Sequence, residues 1–379
     1  MRIVFISGPN PHNRNARSGI PYSIYHQLSI GNEVIWIKPE ISGILDKLKL
    51  FFIKFFLFFF RRIGYNFLHV PAIVKLENKS IQRKLDMLEY DCIFCMGSTD
   101  VAYIKTNKPI FCRADAIAHS FIDYYIFNVP EFGIRWTREV EERALHNYTR
   151  FFIPSQWILN EIHKYKICEP DDKFVLVETG ANLDSKYVNF PKHSYGVNQE
   201  LNMLMCGYDL VRKGLNIALD AAKILNEKYK IKTFITVVGG RPSEQMMDSG
   251  FIRYVGMKNK NDKKEFDEFY SEFSNADLFI FPTKAECHGI VNCEAAAYGL
   301  PIFANDTGGV NSYCIDGENG RCLPVESTGA DYAFAIYHAI VNGDMDRYAM
   351  NSRILYEQKF NWESWRKKVM PIMKEVVDQ

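Results

Sequence analysis

Short apolar runs that end in glycine or a polar residue alternate with longer stretches of helical period along this chain, and that alternation restricts it to few folds. "RIVFISG" (residues 2–8) has the character of a buried strand, "PNPHNRNARSG" is a polar loop, "IPYSIYHQLSIG" is a helix and "NEVIWIK" is a strand again. Further on, "DCIFCMG", "KPIFCRAD", "RFFIPS" and "KFVLVETG" read as strands. "IQRKLDMLE", "WTREVEERALHNY" and "SQWILNEIHKY" read as the helices among them, with Ser155 at the N-cap of the last. Strands buried on both faces and joined through helices form a parallel sheet covered on each side, the doubly wound α/β arrangement.

Residues 185–199, "SKYVNFPKHSYGVNQ", interrupt the pattern with Pro191, Gly196 and polar residues, and are expected to be a linker. Beyond them the alternation restarts. "LNMLMCG", "KTFITVVGG", "FIRYVG", "DLFIFPT" and "LPIFAND" are strands; "KGLNIALDAAKILNEK", "KKEFDEFYSEFSNA" and "GIVNCEAAAYG" are helices. The expectation is therefore two Rossmann-like domains, residues 1–190 and 191–360, facing a central cleft at the carboxyl ends of their strands, where such sheets bind ligands. The last stretch, 361–379, reads as a helix interrupted near Pro371, with Trp362 and Trp365 as packing residues.

One segment does not fit an ordinary α/β domain. "KLKLFFIKFFLFFFRR" (residues 47–62) concentrates Phe51, Phe52, Phe55, Phe56, Phe58, Phe59 and Phe60 beside Lys47, Lys49, Lys54, Arg61 and Arg62, with Asp46 the one nearby acid. Crossing a bilayer takes about 20 apolar residues, so this stretch is too short and too charged to span. As a helix it would align Lys47, Lys54 and Arg61, seven apart, with rings around most of the remaining circumference. A core helix is the alternative; the cations favour a helix lying on an anionic membrane surface, with residues 44–63 as the docking segment.

Net charge of +1 and the absence of a basic stripe argue against nucleic acid as a partner. Nine cysteines in mostly strand-like surroundings indicate reduced thiols rather than a disulfide framework, and Cys92-x-x-Cys95 has no second pair at zinc-site spacing. "MRIVFISG" is too short an apolar run for a secretory signal, which places the expected protein in the cytoplasm.

The chemistry concentrates in "FPTKAECHGIVNCEAAAYGLPIFANDTGG", residues 281–309. A strand ends at Pro282, a loop carries Glu286, and Gly289 opens a helix that carries Glu294. Amides at a helix start have no intrahelical partner and attract phosphate or sugar oxygens, so His288, Gly289, Ile290 and Val291 are expected to bind a donor's diphosphate. Glu294 can accept from both hydroxyls of a ribose, and Glu286 from those of a second ring. A nucleotide sugar would have one end at each carboxylate.

With those residues in place the sequence resembles the retaining glycosyltransferases of GT-B fold known as group one, or family four. The Glu, seven residues, Glu pattern is met by Glu286 and Glu294, and "EAAAYGLPIFANDTGGV" continues it to Gly308, Gly309 and "DGENG". The resemblance implies that Glu286 contacts the donor sugar and Glu294 the ribose. "MCGYDLVRKG" resembles the family's phosphate-binding element: Lys213 and Gly214 match, Tyr208 stands where an arginine is usual, and Arg212 is available to take its place. In "ARSGIPYSI" Gly19 and the Ile20 amide would meet the donor phosphates from the first domain. "KPIFCRADAIAHSFIDYY" offers Asp115, then His119, beside the reacting sugar. "VETGANLD" supplies a further match at Gly180 and Asn182.

The resemblance also implies a terminal helix that crosses back to the first domain, a front-face reaction without an enzymatic nucleophile, no cofactor and no required metal. The partners expected are a nucleotide sugar donor, a glycan or lipid-linked acceptor, and the inner membrane face through residues 47–62. Two other activities fit the same motif: a nucleotide-sugar epimerase, or a non-catalytic module that binds a sugar nucleotide.

Overall fold

The computed structural model describes residues 1–58, 69–167, 171–183 and 200–379. These residues form two compact units, Met1–Val177 together with Arg366–Gln379, and Glu178–Trp365.

The first unit contains β1 (Arg2–Ile6), α1 (Ile20–Leu28), β2 (Glu33–Ile37), α2 (Ile44–Phe58), α3 (Pro71–Leu85), β3 (Cys92–Cys95), β4 (Ile110–Arg113), α4 (Glu131–Asn147), β5 (Arg150–Ile153), α5 (Gln156–Tyr165) and β6 (Phe174–Leu176). Its six strands are parallel in the order β2-β1-β3-β4-β5-β6. Alternate residues serve opposite faces, as a period of two requires. Val4, Ile6, Ile93, Cys95, Ile110, Cys112, Phe151 and Ile153 meet Val74, Ile81 and Leu85 of α3, Val140 and Ala144 of α4, and Ile158 and Ile162 of α5. On the other face Phe5 stacks on Phe94 at 6.1 Å and Phe111 on Phe152 at 6.2 Å.

The second unit contains β7 (Leu201–Gly207), α6 (Leu215–Glu227), β8 (Thr233–Gly239), α7 (Glu244–Met247), β9 (Ile252–Gly256), α8 (Lys263–Ser274), β10 (Leu278–Phe281), α9 (Val291–Ala297), β11 (Ile302–Asp306), β12 (Gly320–Pro324), α10 (Gly329–Val341) and α11 (Asp344–Gln358); α12 (Trp362–Asp378) ends the chain. Its sheet is again parallel and six-stranded, β12-β11-β10-β7-β8-β9. Met203 and Met205 of β7 pack with α6 and α10, whereas Leu204 and Cys206 pack with α8, α9 and α11. Two opposite cores on one sheet are what the near-continuous apolar strands demanded.

Several boundaries differ from the sequence expectation. The expected domain division at 190/191 and the linker 185–199 lie outside the described residues. Residues 178–183, assigned to the first domain from sequence, cluster with the second unit because their backbone is bonded there. The Thr179 amide donates to Tyr313 Oη at 3.0 Å and the Ala181 amide to the Phe360 carbonyl at 2.8 Å. Helix α3 starts ten residues before "IQRKLDMLE", at Pro71, an N1 position suited to proline. Its period was obscured by Asn78, a polar residue on the inner stripe. Asn78 is buried because it donates to the Thr99 carbonyl and accepts from the Tyr103 amide, each at 2.8 Å.

Helix α12 runs through Pro371 without interruption. Losing one backbone donor is outweighed there by burial of Val369, Met370 and Met373. Residues from Arg366 onward cluster with the first unit. Trp362 and Trp365 are buried, with rings 5.7 Å apart. Ser155 occupies the N-cap of α5, yet its hydroxyl makes no cap bond.

Helix α2 realises the described part of the aromatic segment; residues 59–63 lie outside the described residues. At about 100° per residue, Asp46, Leu50 and Ile53 fall on one stripe. Leu50 and Ile53 pack against Val70 and Ile73, and buried Asp46 lies 3.9 Å from both Lys79 and Arg83. Leu48, Phe51, Phe52, Phe55 and Phe58 are exposed on the opposite side. Lys47 and Lys54 flank this apolar face on one side and Lys49 on the other. Among the described residues no helix is long and apolar enough to cross a membrane.

Candidate functional site

In the second unit the strand order reverses between β7 and β10. The chain passes from β7 through β8 to β9 on one side, then returns to set β10, β11 and β12 on the other. The loops leaving the carboxyl ends of β7 and β10 therefore diverge around a crevice, the ligand position in open α/β sheets. Lys213 lies on the first loop and Glu286 on the second, 73 residues apart in sequence.

Gly214 brings the loops together. Its φ is +78°, and a Cβ there would stand 2.1 Å from the Pro282 carbonyl oxygen, a contact only glycine permits. The preceding Lys213 is thereby set against the β10 loop. Its ammonium forms an ion pair with Glu286 Oε2 and lies 4.3 Å from the Phe281 ring centroid. Arg212 Nη1 is 3.4 Å from the same oxygen and donates to the Ala285 carbonyl at 2.5 Å. Asp209, 3.6 Å from the Arg212 guanidinium, is half exposed and so offsets little of its charge. Two cations thus converge on one carboxylate, with Lys213 10% and Glu286 15% exposed.

The protonation tendencies reflect that arrangement. Burial pushes the Glu286 carboxyl up, but Lys213, Arg212 and His288 outweigh it and hold the group below its ordinary range. Burial lowers the Lys213 pKa; Glu286 pulls it back, and the second cation, Arg212, opposes that pull. Glu286 is a carboxylate at neutral pH, and the positive charge around it is in excess.

Gly289, with φ +67°, turns the β10 loop into α9; a Cβ there would lie 2.8 Å from Asn292 Nδ2 and 3.3 Å from Glu286 Cγ. The Asn292 amide donates to the Gly289 carbonyl and the Cys293 amide to that of Ile290, each at 2.9 Å. The amides of Gly289, Ile290 and Val291 stand ahead of this ladder. His288 is buried with its ring 5.7 Å from that of Tyr313. The Thr307-Gly308-Gly309 turn clamps the loop from behind, the Gly309 amide donating to the Cys287 carbonyl at 2.8 Å.

Glu294 is the fourth residue of α9 and only 2% exposed. Its carboxylate is not simply open to a ligand, as the sequence had implied. Oε1 lies 3.2 Å from both Lys260 Nζ and the Tyr270 hydroxyl. Lys260 and Tyr270 escaped the sequence reading, since "MKNKND" passes for an ordinary polar loop and Tyr270 for one more aromatic of α8. Tyr208, in place of the usual arginine, is 78% exposed, while Arg212 reaches Glu286.

In the first unit the order reverses between β1 and β3, and the expected residues lie on loops at the carboxyl ends of its strands. Gly19 has φ +87° and caps α1, but the Ile20 amide donates to the Arg17 carbonyl instead of standing open to a phosphate. A tight turn with Arg17 and Ser18 both at positive φ brings that carbonyl round. Asp115 is paired with Arg113, which is buried in the sheet. His119 is buried, its amide donating to Glu141 at 3.0 Å and its ring edge-on to Tyr165 at 4.3 Å. Burial keeps that imidazole neutral by lowering its pKa, and Arg138 adds to the effect. Burial raises the Glu141 carboxyl to about 8 despite the amides it accepts from. Cys92 and Cys95 are buried in β3, and burial pushes the Cys92 thiol up to about 12, as befits structural thiols. Among the described residues no three His, Cys, Asp or Glu side chains converge as metal ligands.

Residues 193–373 match the family described as glycosyl transferases group 1. An uncharacterized glycosyltransferase of Methanocaldococcus jannaschii is 22% identical over 235 residues, 62% of each chain. The lipopolysaccharide glucosyltransferase WaaG of Escherichia coli is 27% identical over 176 residues, covering 43% of this chain and 45% of that enzyme. The matched stretches thus span less than two thirds of either relative. Solved structures share the fold over nearly the full length. That of WaaG superposes with a TM-score of 0.65 at 16% identity, covering 98% of this chain and 99% of that one. Anabaena HepE in complex with UDP and glucose gives 0.66 at 13% identity, covering 99% and 100%. Two parallel six-stranded α/β units are the GT-B architecture, and residues 193–373, which carry Lys213, Glu286 and Glu294, are the part of the chain that matches glycosyl transferases group 1.

Proposed function

We propose that this protein transfers a hexose or related sugar from a nucleoside diphosphate sugar to an acceptor hydroxyl, with retention at the anomeric carbon. One observation carries the reading: Arg212 and Lys213 meet a single half-buried carboxylate, so the crevice holds positive charge that a diphosphate would match. As the bond from the anomeric carbon to the diphosphate oxygen breaks, these cations stabilise the departing charge. The acceptor oxygen bonds to the same face of the sugar, and its proton passes to the departing phosphate oxygen. Glu286 accepts from donor-sugar hydroxyls and Glu294 from the ribose. The glycosyltransferase names of the relatives and the UDP and glucose bound to HepE support this reading. Arg212 takes the part of the arginine absent at Tyr208, and the charge it shares with Lys213 lets the reaction run without metal.

The test is calorimetry of the purified protein with UDP, GDP, ADP and their sugar conjugates in EDTA, followed by product analysis. Micromolar binding of one diphosphate, and a transferred sugar that keeps its anomeric configuration, are expected. Failure to bind any of them overturns the proposal. A new nucleotide sugar in place of free nucleotide would select an epimerase, and binding without turnover a non-catalytic module.

The acceptor is proposed to be a lipid-linked or surface-polysaccharide precursor, reached from the inner face of the cell membrane. Helix α2 supports this with its exposed phenylalanine face flanked by Lys47, Lys49 and Lys54, which complement anionic headgroups. Replacing Phe51, Phe52, Phe55 and Phe58 together with serine is expected to lower partitioning onto phosphatidylglycerol vesicles about a hundredfold. Co-sedimentation measures it. Equal binding by the variant would remove α2 as the dock.

A further inference from the structure

Resting on the assignment of Glu294 to the ribose, we propose that Lys260 is the positioning residue that lets the protein tell ribonucleotides from 2′-deoxyribonucleotides. Glu294 is almost wholly enclosed, and a carboxylate so placed needs a donor to hold its orientation. Two candidates reach Oε1, Lys260 Nζ and the Tyr270 hydroxyl, each at 3.2 Å. The tyrosine has one proton to donate, and the Asn182 carbonyl lies closer to it, at 2.5 Å. Its proton goes there, which leaves Lys260 to hold Glu294.

The loop that carries Lys260 is built to keep it in place. Asp262 caps α8 by accepting from the Glu265 amide at 3.0 Å. The Asn259 amide returns the bond to Glu265 Oε2 at 2.7 Å. Lys258 pairs with Glu268 of the same helix at 2.7 Å. Lys260 itself is 15% exposed, its ammonium 4.1 Å from the Phe269 ring centroid and 5.7 Å from that of Tyr270, both also on α8. With two faces of its environment aromatic and Glu294 ahead, the ammonium has a fixed direction. Oε1 is committed to it, and Oε2 is the oxygen offered to the ribose 2′-hydroxyl.

The consequence is a division of labour along the donor. Lys213 and Arg212 bind any diphosphate, ribose or not. Lys260 acts only through Glu294, so its loss removes sugar discrimination and leaves phosphate binding.

The experiment measures dissociation constants of the preferred nucleoside diphosphate and its 2′-deoxy form for wild type, Lys260→Met, Lys260→Arg and Tyr270→Phe, with melting temperatures as the folding control. Wild type is expected to prefer the ribonucleotide about tenfold or more, the value of one well-made hydrogen bond to a charged group. Lys260→Met should bring the ratio close to one by weakening the ribonucleotide alone. Lys260→Arg should restore most of the preference, and Tyr270→Phe should keep it. In turnover, Lys260→Met should raise KM for the sugar nucleotide with kcat nearly unchanged. A ratio in folded Lys260→Met equal to wild type overturns the proposal, as does loss of preference in Tyr270→Phe but not in Lys260→Met. Should Lys260→Met not fold, failure of Lys260→Arg to keep the preference decides against it. Wild type that binds both forms equally overturns the ribose assignment of Glu294, and wild type that binds neither overturns the glycosyltransferase reading itself.

Discussion

Glu286→Ala is expected to lower sugar transfer about a thousandfold while the protein still binds nucleoside diphosphate. The carboxylate sits between Lys213 and Arg212, and both cations reach its Oε2. In the proposed reaction it orients the donor sugar, so its loss falls on the chemical step rather than on phosphate capture. Removing it leaves a nearly buried ammonium without its partner, an arrangement that costs about 3 kcal/mol when the charge must stay. Lys213 need not stay charged, because its pKa is already lowered by burial and would fall further, which limits the cost. An added diphosphate supplies the missing anion and should raise the variant's melting temperature more than the wild type's. Initial rates, calorimetry and thermal denaturation on Glu286→Ala and the isosteric Glu286→Gln check this. Transfer within tenfold of wild type by both would remove Glu286 from the site.

Gly214→Val should destabilise the second unit by about 3 kcal/mol or more and abolish diphosphate binding with it. Two costs combine at this position. The backbone is in the left-handed region at φ +78°, and a Cβ would stand 2.1 Å from the Pro282 carbonyl oxygen, so the β7 and β10 loops must separate. Separation carries Lys213 away from Glu286. Gly343 is the matched control: its φ is +72°, but no atom lies within 4 Å of the Cβ position, so Gly343→Val should cost only the conformational penalty of about 1–2 kcal/mol. Urea denaturation of both variants separates strain from collision. Equal losses would show that the approach to Pro282 has no special weight.

The two predictions depend on different kinds of information in the chain. Glu286 stood out from a linear pattern, strand then Glu then Gly then helix, whose parts are neighbours in sequence. The strand positions were readable for the same reason. Met203 to Cys206 or Leu278 to Phe281 are unbroken apolar runs, and only a sheet covered on both faces buries such runs completely. Helix α3 extends back to Pro71 across Asn78, whose polarity interrupts the apolar period. The partners of Asn78, the Thr99 carbonyl and the Tyr103 amide, lie more than 20 residues away. Pro371 misled in the opposite sense: its local preference against helix is real, but burial of the residues around it decided the outcome.

The same limit applies at the site. Local pattern and composition determined that the chain would fold as two wound parallel sheets, that Glu286 and Glu294 would follow a strand end, and that residues 47–62 would concentrate rings and cations, while the family resemblance picked out Lys213. Each of these follows from residues within one or two turns of each other. Tertiary structure alone decided that Arg212 would reach Glu286, that Asp46 would point α2 inward, that the Ile20 amide would be taken by Arg17, and that Lys260 would close on Glu294. Glu294 and Lys260 are 34 residues apart, on loops and helices whose meeting depends on β9 and β10 lying on opposite sides of β7 in one sheet. Side-chain period reports which face of an element is buried; which charge waits on that face is set by strand order and by the glycines that let loops touch.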